Sequence, residues 1–211
     1  MSQLVSRAFF ILAFMVAGCG SSEPYWFKNV SVDVPSVSGQ LAIAVLERRP
    51  YVLNGDKDPE FRGLIRGTYG IPFSQPTLSG RPLADAFRDA LVSSFQASGA
   101  DVRPLIVPRD LEAQEVIPTL GPGEKLLWVE VREWKSDIWE RLTSHWDLSA
   151  EVYSSDGSLR ASESYQGIRG TVYHDIENNA VRPVSPFEQA ELKRQFDELL
   201  NRPAIVAALA L

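Results

Sequence analysis

Apolar residues along the chain follow two periods, one typical of strands and one typical of helices. Alternation with polar residues, or a short continuous apolar run, predicts strands at Leu41–Leu46, 101–107, 125–139, 142–153 and 158–173. The alternating residues Val30, Val32 and Val34 indicate a further, half-exposed strand. Because the connections between the last three segments are short, we expect these segments to pair as neighbours in one sheet.

Two segments have the period of amphipathic helices. The first, Arg81–Ser98, has an apolar residue at every fourth position and ends before Gly99, a residue that suits a helix C-terminus. The second begins at Ser185-Pro186-Phe187-Glu188, a capping box with proline in the first turn. A short helix over 109–117 and a final apolar helix after Pro203 are also predicted. The pattern predicts an α+β fold: a mixed, mostly antiparallel sheet of about five strands with two main helices packed on one face.

The segment 47–80 breaks both periods and reads as a long inserted loop. Nine glycine and proline residues interrupt it, yet it contains many large apolar side chains. Loops of this length in compact domains are uncommon, and they are usually either functional or disordered. The apolar content argues against disorder, because such side chains are rarely left in water without a reason.

We expect Arg62, Arg66, Tyr69, Ile71 and Phe73 to form a contact surface for a partner. Arginine forms bidentate contacts with carboxylate or phosphate, and tyrosine and arginine are enriched at binding hot spots. Two alternatives stay open at this point. The loop could instead fold back to cap an edge of the sheet, or its apolar side chains could line a cleft for a small molecule or a lipid.

The N-terminus contains Val16-Ala17-Gly18-Cys19, which follows one basic residue, Arg7, and an apolar run too short to span a bilayer. This pattern resembles the lipobox of bacterial lipoproteins. The resemblance implies cleavage before Cys19, a thioether-linked lipid on Cys19 and an acylated new N-terminus. The alternative is an ordinary signal peptide followed by a free thiol. Cys19 is the only cysteine of the chain, so no disulfide within the chain is possible.

The order of predicted elements, together with the lipobox, is similar to small periplasmic lipoprotein domains. These include the YajG-like family and the auxiliary lipoproteins of ABC-type envelope transporters, and the likeness covers about 41–209. It implies a signal peptide over 1–18, a lipidated tether over 19–29 and one periplasmic domain over 30–211. The tether contains Tyr25-Trp26-Phe27, which we expect to dock on the domain; a position at the bilayer interface is the alternative.

The resemblance implies a protein anchored to a membrane by its acyl chains and facing the periplasm. Lipoproteins kept at the inner membrane often have aspartate directly after the lipidated cysteine, and here that residue is Gly20. We therefore expect the outer membrane, with the inner membrane as the alternative. The formal charge of −6 at pH 7 argues against nucleic acid as a partner. The sequence leaves the oligomeric state open.

No motif in the sequence indicates catalysis, a cofactor or a metal. The chain has no nucleophile elbow, phosphate-binding loop or dinucleotide fingerprint. His145 is expected at the surface, and His174, beside Asp175 and Glu177, matches no metal-ligand spacing. The best interpretation is a non-enzymatic accessory or assembly factor that binds a partner protein or another envelope component. A small-molecule or lipid-binding module is the first alternative, and a hydrolase is the second.

Overall fold

The structure is a computed structural model that describes residue 27 and residues 30–139, 141–172 and 186–211. The predictions for Cys19, Tyr25, Trp26, His174 and the capping residue Ser185 lie outside these residues. Within them, the chain forms seven strands: β1 (Gln40–Glu47), β2 (Phe61–Arg66), β3 (Pro72–Pro76), β4 (Asp101–Pro104), β5 (Lys125–Ile138), β6 (Arg141–Tyr153) and β7 (Leu159–Val172). All seven belong to one mixed sheet.

Strand β5 organises this sheet because both of its edges are paired. Strand β6 pairs antiparallel with one edge, and β7 pairs antiparallel with β6. The other edge is shared: β1 runs parallel to the first half of β5, and β2 runs parallel to its last residues, Ser136–Ile138. Strands β4 and β3 then extend the sheet from β1 and β2. The antiparallel pairings contain most of the paired residues, which agrees with the predicted mixed, mostly antiparallel sheet.

Helices cover the two faces of the sheet unequally. The described helices are α1 (Pro50–Leu53), α2 (Leu83–Ala97), α3 (Ala113–Val116), α4 (Pro186–Leu200) and α5 (Pro203–Ala210). The apolar sides of α2, α4 and α5 bury the main core against one face. The two main helices therefore lie on one face, as the sequence predicts. On the opposite face, α3 covers a smaller core, and Trp128 of β5 is buried within it.

Aromatic rings form the centre of the main core. The Phe87 ring of α2 meets Trp134 of β5 and Phe196 of α4, with ring centroids 5.2 and 5.6 Å apart. Phe27 adds a third edge-to-face contact with Phe87, at 5.5 Å. This buried position confirms that Phe27 docks on the domain. Edge-to-face pairs contribute about 0.5–1.5 kcal/mol beyond the area that they bury.

Two predictions of secondary structure are wrong. The segment 47–80 is not a loop throughout, because it contains α1 and the antiparallel hairpin β2–β3, and this raises the strand number from about five to seven. Val30–Val34 forms no strand and pairs with no described strand. Its backbone bonds to helix side chains instead: the Val32 amide donates to Ser94 Oγ at 3.0 Å, and the Asp33 amide donates to Asp197 Oδ1 at 2.7 Å. The alternation of apolar and polar residues at 30–34 therefore reflects the packing of this segment against α2 and α4.

Candidate functional site

The turn between β2 and β3 is short and is shaped by glycine. The Gly67 amide donates to the Ile71 carbonyl at 2.9 Å, and the Gly70 amide donates to the Gly67 carbonyl at 2.8 Å. Gly70 has a φ of 74°, a conformation that residues with a Cβ atom rarely adopt. The glycines that made 47–80 look like a loop therefore permit a hairpin to turn within it.

The hairpin is fixed to the sheet by the pairing of β2 with the end of β5. Gly63 lies beside Ser136, and the contact is so close that a Cβ atom on Gly63 would come within about 2.3 Å of Ser136 Oγ. Only glycine fits there without a shift of the backbone. The hairpin therefore starts from a rigid scaffold, which is the usual arrangement for binding residues.

Large apolar side chains are exposed at the end of the hairpin. The exposed fractions are 91% for Tyr69, 56% for Ile71 and 57% for Phe73. Trp139, at the end of β5, is 50% exposed, and its ring lies against Gly70. These four residues, here called the tip patch, place apolar area in solvent at one end of the sheet. Exposed apolar side chains that cluster in this way are a feature of surfaces that contact other molecules, so the tip patch is the candidate site.

Arg66 lies beside the tip patch but already has a partner. Its Nε donates to Asp137 Oδ1 at 2.8 Å, and its Nη2 donates to Oδ2 of the same carboxylate at 2.5 Å. This bidentate pair is partly buried, and it links β2 to β5 directly below the tip patch. Arg66 therefore has a structural contact and leaves little of its guanidinium for a ligand.

Arg62 does not lie on the exposed surface. It is buried, its Nη1 donates to Glu188 Oε2 at 2.6 Å, and its Nε donates to the Pro76 carbonyl at 2.7 Å. The placement of Arg62 in a contact surface is therefore wrong. Its partner Glu188 is 126 positions away in the sequence, so the pairing is invisible to any local pattern.

Two residues of this region were missed by sequence reasoning. Trp139 was assigned to the end of a strand, and Asp137 was not singled out at all. A signal for Trp139 exists in the sequence, because it is a large apolar residue at the very end of the predicted strand 125–139. No comparable signal exists for Asp137, which alternates like any exposed strand residue.

Beside the hairpin lies an open depression of about 560 Å³. Phe61 is its one large aromatic lining residue, and Asp56, Lys57, Asp58 and Glu60 contribute charged groups. The side chains of the tip patch do not line it. The small-molecule alternative assumed an apolar cleft lined by 61–73, and this depression has a different character. In the part of the chain that the structure describes, no group of three or more His, Cys, Asp or Glu side chains is placed to hold a metal ion.

A second depression, of about 460 Å³, lies between Arg66, Asp137 and His145 on the polar face of the sheet. Burial lowers the pKa of His145, and the nearby Lys135 ammonium lowers it further. His145 is therefore mainly neutral at physiological pH, and it adds no positive charge beside the tip patch. Among the described helices, none has the length and apolar character to cross a bilayer.

Three solved structures illustrate what this chain is similar to. A protein of Xanthomonas campestris assigned to the family DUF330 matches with 20% identity over 84% of this chain and 92% of that chain, at a TM-score of 0.53. PelC of Paraburkholderia phytofirmans, a dodecamer, matches at a TM-score of 0.40 with 12% identity, covering 85% of this chain and 96% of that chain. Lipoprotein GNA1162 of Neisseria meningitidis matches at 0.32 with 14% identity, covering 74% and 92%.

These likenesses differ in what they establish. No protein-family model matches the sequence, and no curated protein is similar to it in sequence. The Xanthomonas structure is similar over 92% of its length, but at 20% identity the property that it shares with this chain is the fold alone. We conclude that this chain has the α+β fold of that DUF330 protein, with an exposed apolar patch at the tip of its β2–β3 hairpin.

Proposed function

We propose that this chain is a lipid-anchored lipoprotein that faces the periplasm and acts as a non-enzymatic accessory or assembly factor. The tip patch is its contact surface with another component of the envelope. The observation that carries this proposal is the exposure of Tyr69, Ile71 and Phe73 on a hairpin that is fixed to the sheet. The lipobox-like segment Val16–Cys19 supports the anchor, and Gly20 supports the outer membrane.

The anchor is tested by replacing the residue that would carry the lipid. We expect Cys19→Ser to leave the precursor uncleaved and to abolish lipid labelling, because the thioether needs the cysteine sulfur. The measurement is metabolic labelling with a fatty acid, followed by membrane fractionation. Normal labelling of the Cys19→Ser protein would contradict the anchor, and recovery of the mature protein mainly with inner-membrane markers would contradict the outer-membrane assignment.

The contact surface is tested by removing side chains that are exposed. Truncation of a surface aromatic costs well under 1 kcal/mol, whereas truncation in a core costs about 3–5 kcal/mol. We therefore expect Tyr69→Ala and Phe73→Ala to leave the free energy of unfolding nearly unchanged while they weaken envelope contacts. Contacts are measured in intact cells by photocrosslinking, with a photoreactive phenylalanine analogue in place of Tyr69.

Ile106 provides a matched control. It is 80% exposed and follows β4, on the opposite side of β1 from the hairpin. The same photoreactive residue at position 106 should give no crosslink above background. If position 69 also gives no crosslink to protein or lipid, the tip patch is not a contact surface. A cost of several kcal/mol for both alanine variants would assign the hairpin to the core.

A further inference from the structure

The point at which Phe27 packs on the core relates the anchor to the tip patch. Phe27 packs on Trp134, with ring centroids 5.8 Å apart. Eleven positions later, the Ser38 carbonyl and hydroxyl accept hydrogen bonds from Lys125 Nζ, at 2.5 and 2.8 Å. Lys125 is the first residue of β5, so between Phe27 and Ser38 the chain runs antiparallel to β5. Phe27, at the start of this segment, lies nearer to the end of β5 than Ser38 does.

The tip patch lies at that same end. Strand β2 is parallel to β5 and pairs with its last residues, and Trp139 follows them directly. At about 3.3 Å per residue, Trp139 lies roughly 17 Å beyond Trp134 along the strand, whereas Lys125 lies roughly 30 Å away in the opposite direction. The point where the chain enters the core is therefore nearer to the tip patch than to the other end of the sheet.

The length of the tether limits where the membrane can be. Cys19 precedes Phe27 by eight residues, and eight residues span at most about 29 Å in any conformation. A lipid on Cys19 thus holds Phe27 within about 29 Å of the membrane surface. To bring the Lys125 end of the sheet to the membrane, the tether would use its whole reach, because that end lies roughly 30 Å from the position of Phe27 on Trp134. To bring the tip end of the sheet to the membrane requires much less of the tether's length.

The chemistry of the tip patch fits a lipid–water interface. Tyrosine and tryptophan have an apolar ring with a polar group, and they are enriched where acyl chains meet headgroups. Ile71 and Phe73 supply apolar area for the acyl side. The Arg66 guanidinium is neutralised by Asp137, whereas Arg141 is exposed and lines the same depression as Trp139, so it places a positive charge beside the patch. The net charge of −6 on the whole chain nevertheless disfavours anionic headgroups.

We propose that the tip patch inserts into the interface of the membrane that carries the Cys19 lipid. The domain then has two membrane contacts, the acyl chains and the tip patch, which together fix its height and orientation. This inference rests on the proposed lipid anchor, and it names the chemistry that the tip patch meets: zwitterionic lipid, bound by partition of aromatic and aliphatic side chains. A protein is the competing occupant.

The test uses the full-length lipidated protein in phosphatidylcholine vesicles. Tyr69→Cys is labelled with an environment-sensitive fluorophore; Tyr69 is almost fully exposed, so the substitution is tolerated by the fold. Lipidation of Cys19 leaves position 69 as the single reactive thiol. We expect a blue-shifted emission, a several-fold rise in intensity over detergent-free buffer, and quenching by doxyl-labelled phosphatidylcholine. Adding anionic lipid or salt should change these signals little.

Labelled Ile106→Cys is the matched control and should stay unquenched in the same vesicles. Weaker quenching at position 69 after Ile71→Ser and Trp139→Ser would confirm that the patch inserts as a unit. An unquenched, water-like signal at position 69 in vesicle-bound protein overturns the inference. If position 69 then crosslinks to a protein in cells, the proposed function stands and the lipid contact does not. If it crosslinks to nothing, both fail.

Discussion

Arg49→Met should lower the free energy of unfolding by about 3–5 kcal/mol, because it removes a buried cation that connects three strands. Arg49 has no exposed surface, and its guanidinium pairs with the Glu47 carboxylate at the end of β1. It also donates to the carbonyl groups of Phe61 in β2, Trp134 in β5 and Pro59. Methionine fills similar volume but leaves that carboxylate and those carbonyls without a donor.

The expected loss corresponds to a fall of roughly 10 °C in the midpoint of thermal unfolding for a domain of this size. The measurement is urea or thermal unfolding followed by circular dichroism. Arg132→Met is the matched control: the Arg132 side chain is 45% exposed and pairs with Glu130 at 3.2 Å, so its loss should cost under about 1 kcal/mol. Equal costs for the two variants would contradict the role assigned to Arg49.

Arg49 also helps to set the position of the hairpin that carries the tip patch, although it lies far from the patch itself. The hairpin begins at Phe61, the first residue of β2, and the Phe61 carbonyl is one of the groups to which Arg49 donates. On the other side of the hairpin base, the Tyr51 and Phe61 rings pack edge to face at 5.5 Å. The position of the hairpin is therefore set by a buried ion pair and an aromatic pair at its base. The exposed aromatics at its tip contribute little to that position.

Periodicity predicted the long elements well because their environment is uniform along their length. In α2, apolar residues recur every four positions, and all of them are fully buried: Leu83, Phe87, Leu91 and Phe95. Strand β6 alternates over most of its 13 residues, because one face packs on helices and the other is mainly polar, whereas the first half of β5 is buried on both faces. When the hydrophobic period persists over several turns of a helix or several residues of a strand, it identifies the element even where single residues depart from it.

The hairpin was not predictable in the same way. Strand β2 has a register irregularity between Phe61 and Gly63, and β3 is only five residues long and begins and ends with proline. Gly63 is present because Ser136 approaches closely, a contact between residues distant in sequence. The composition of 47–80 correctly indicated exposed aromatic groups. It carries no information on which distant residues contact each other. The same limitation placed Arg62 at the surface.

Glu188 is the reason that Arg62 is buried. Glu188 lies in the first turn of α4, is buried, and accepts hydrogen bonds from Arg62 and from the Ser136 hydroxyl. Burial raises the pKa of Glu188, and the Arg62 guanidinium and the Ser136 hydroxyl oppose that rise. The Glu188 carboxylate therefore depends mainly on Arg62 to offset the cost of burying its charge. This cluster joins the N-terminal turn of α4 to β2 and β5, and so to the base of the hairpin.

Arg62→Met should therefore destabilise the protein in a manner that depends on pH. Without the guanidinium, the pKa of Glu188 in the folded state rises further above its unfolded value of about 4.3. A folded-state pKa that is raised gives stability that is fully present below the unfolded pKa and is lost as pH rises through the folded pKa. The cost of Arg62→Met should thus be smallest near pH 4.5 and reach about 3–5 kcal/mol at pH 8.

The measurement is the difference in free energy of unfolding between the variant and the natural protein, taken at several pH values from 4.5 to 8. Comparing the two proteins at each pH removes the contributions of the other titrating groups. The double variant Arg62→Met with Glu188→Gln is the control, because it replaces both charges. It should recover much of the loss at pH 8, and its residual cost should be nearly independent of pH. A cost for Arg62→Met alone that stays flat over this range, or that grows towards low pH, would show that Glu188 is not the group that Arg62 compensates.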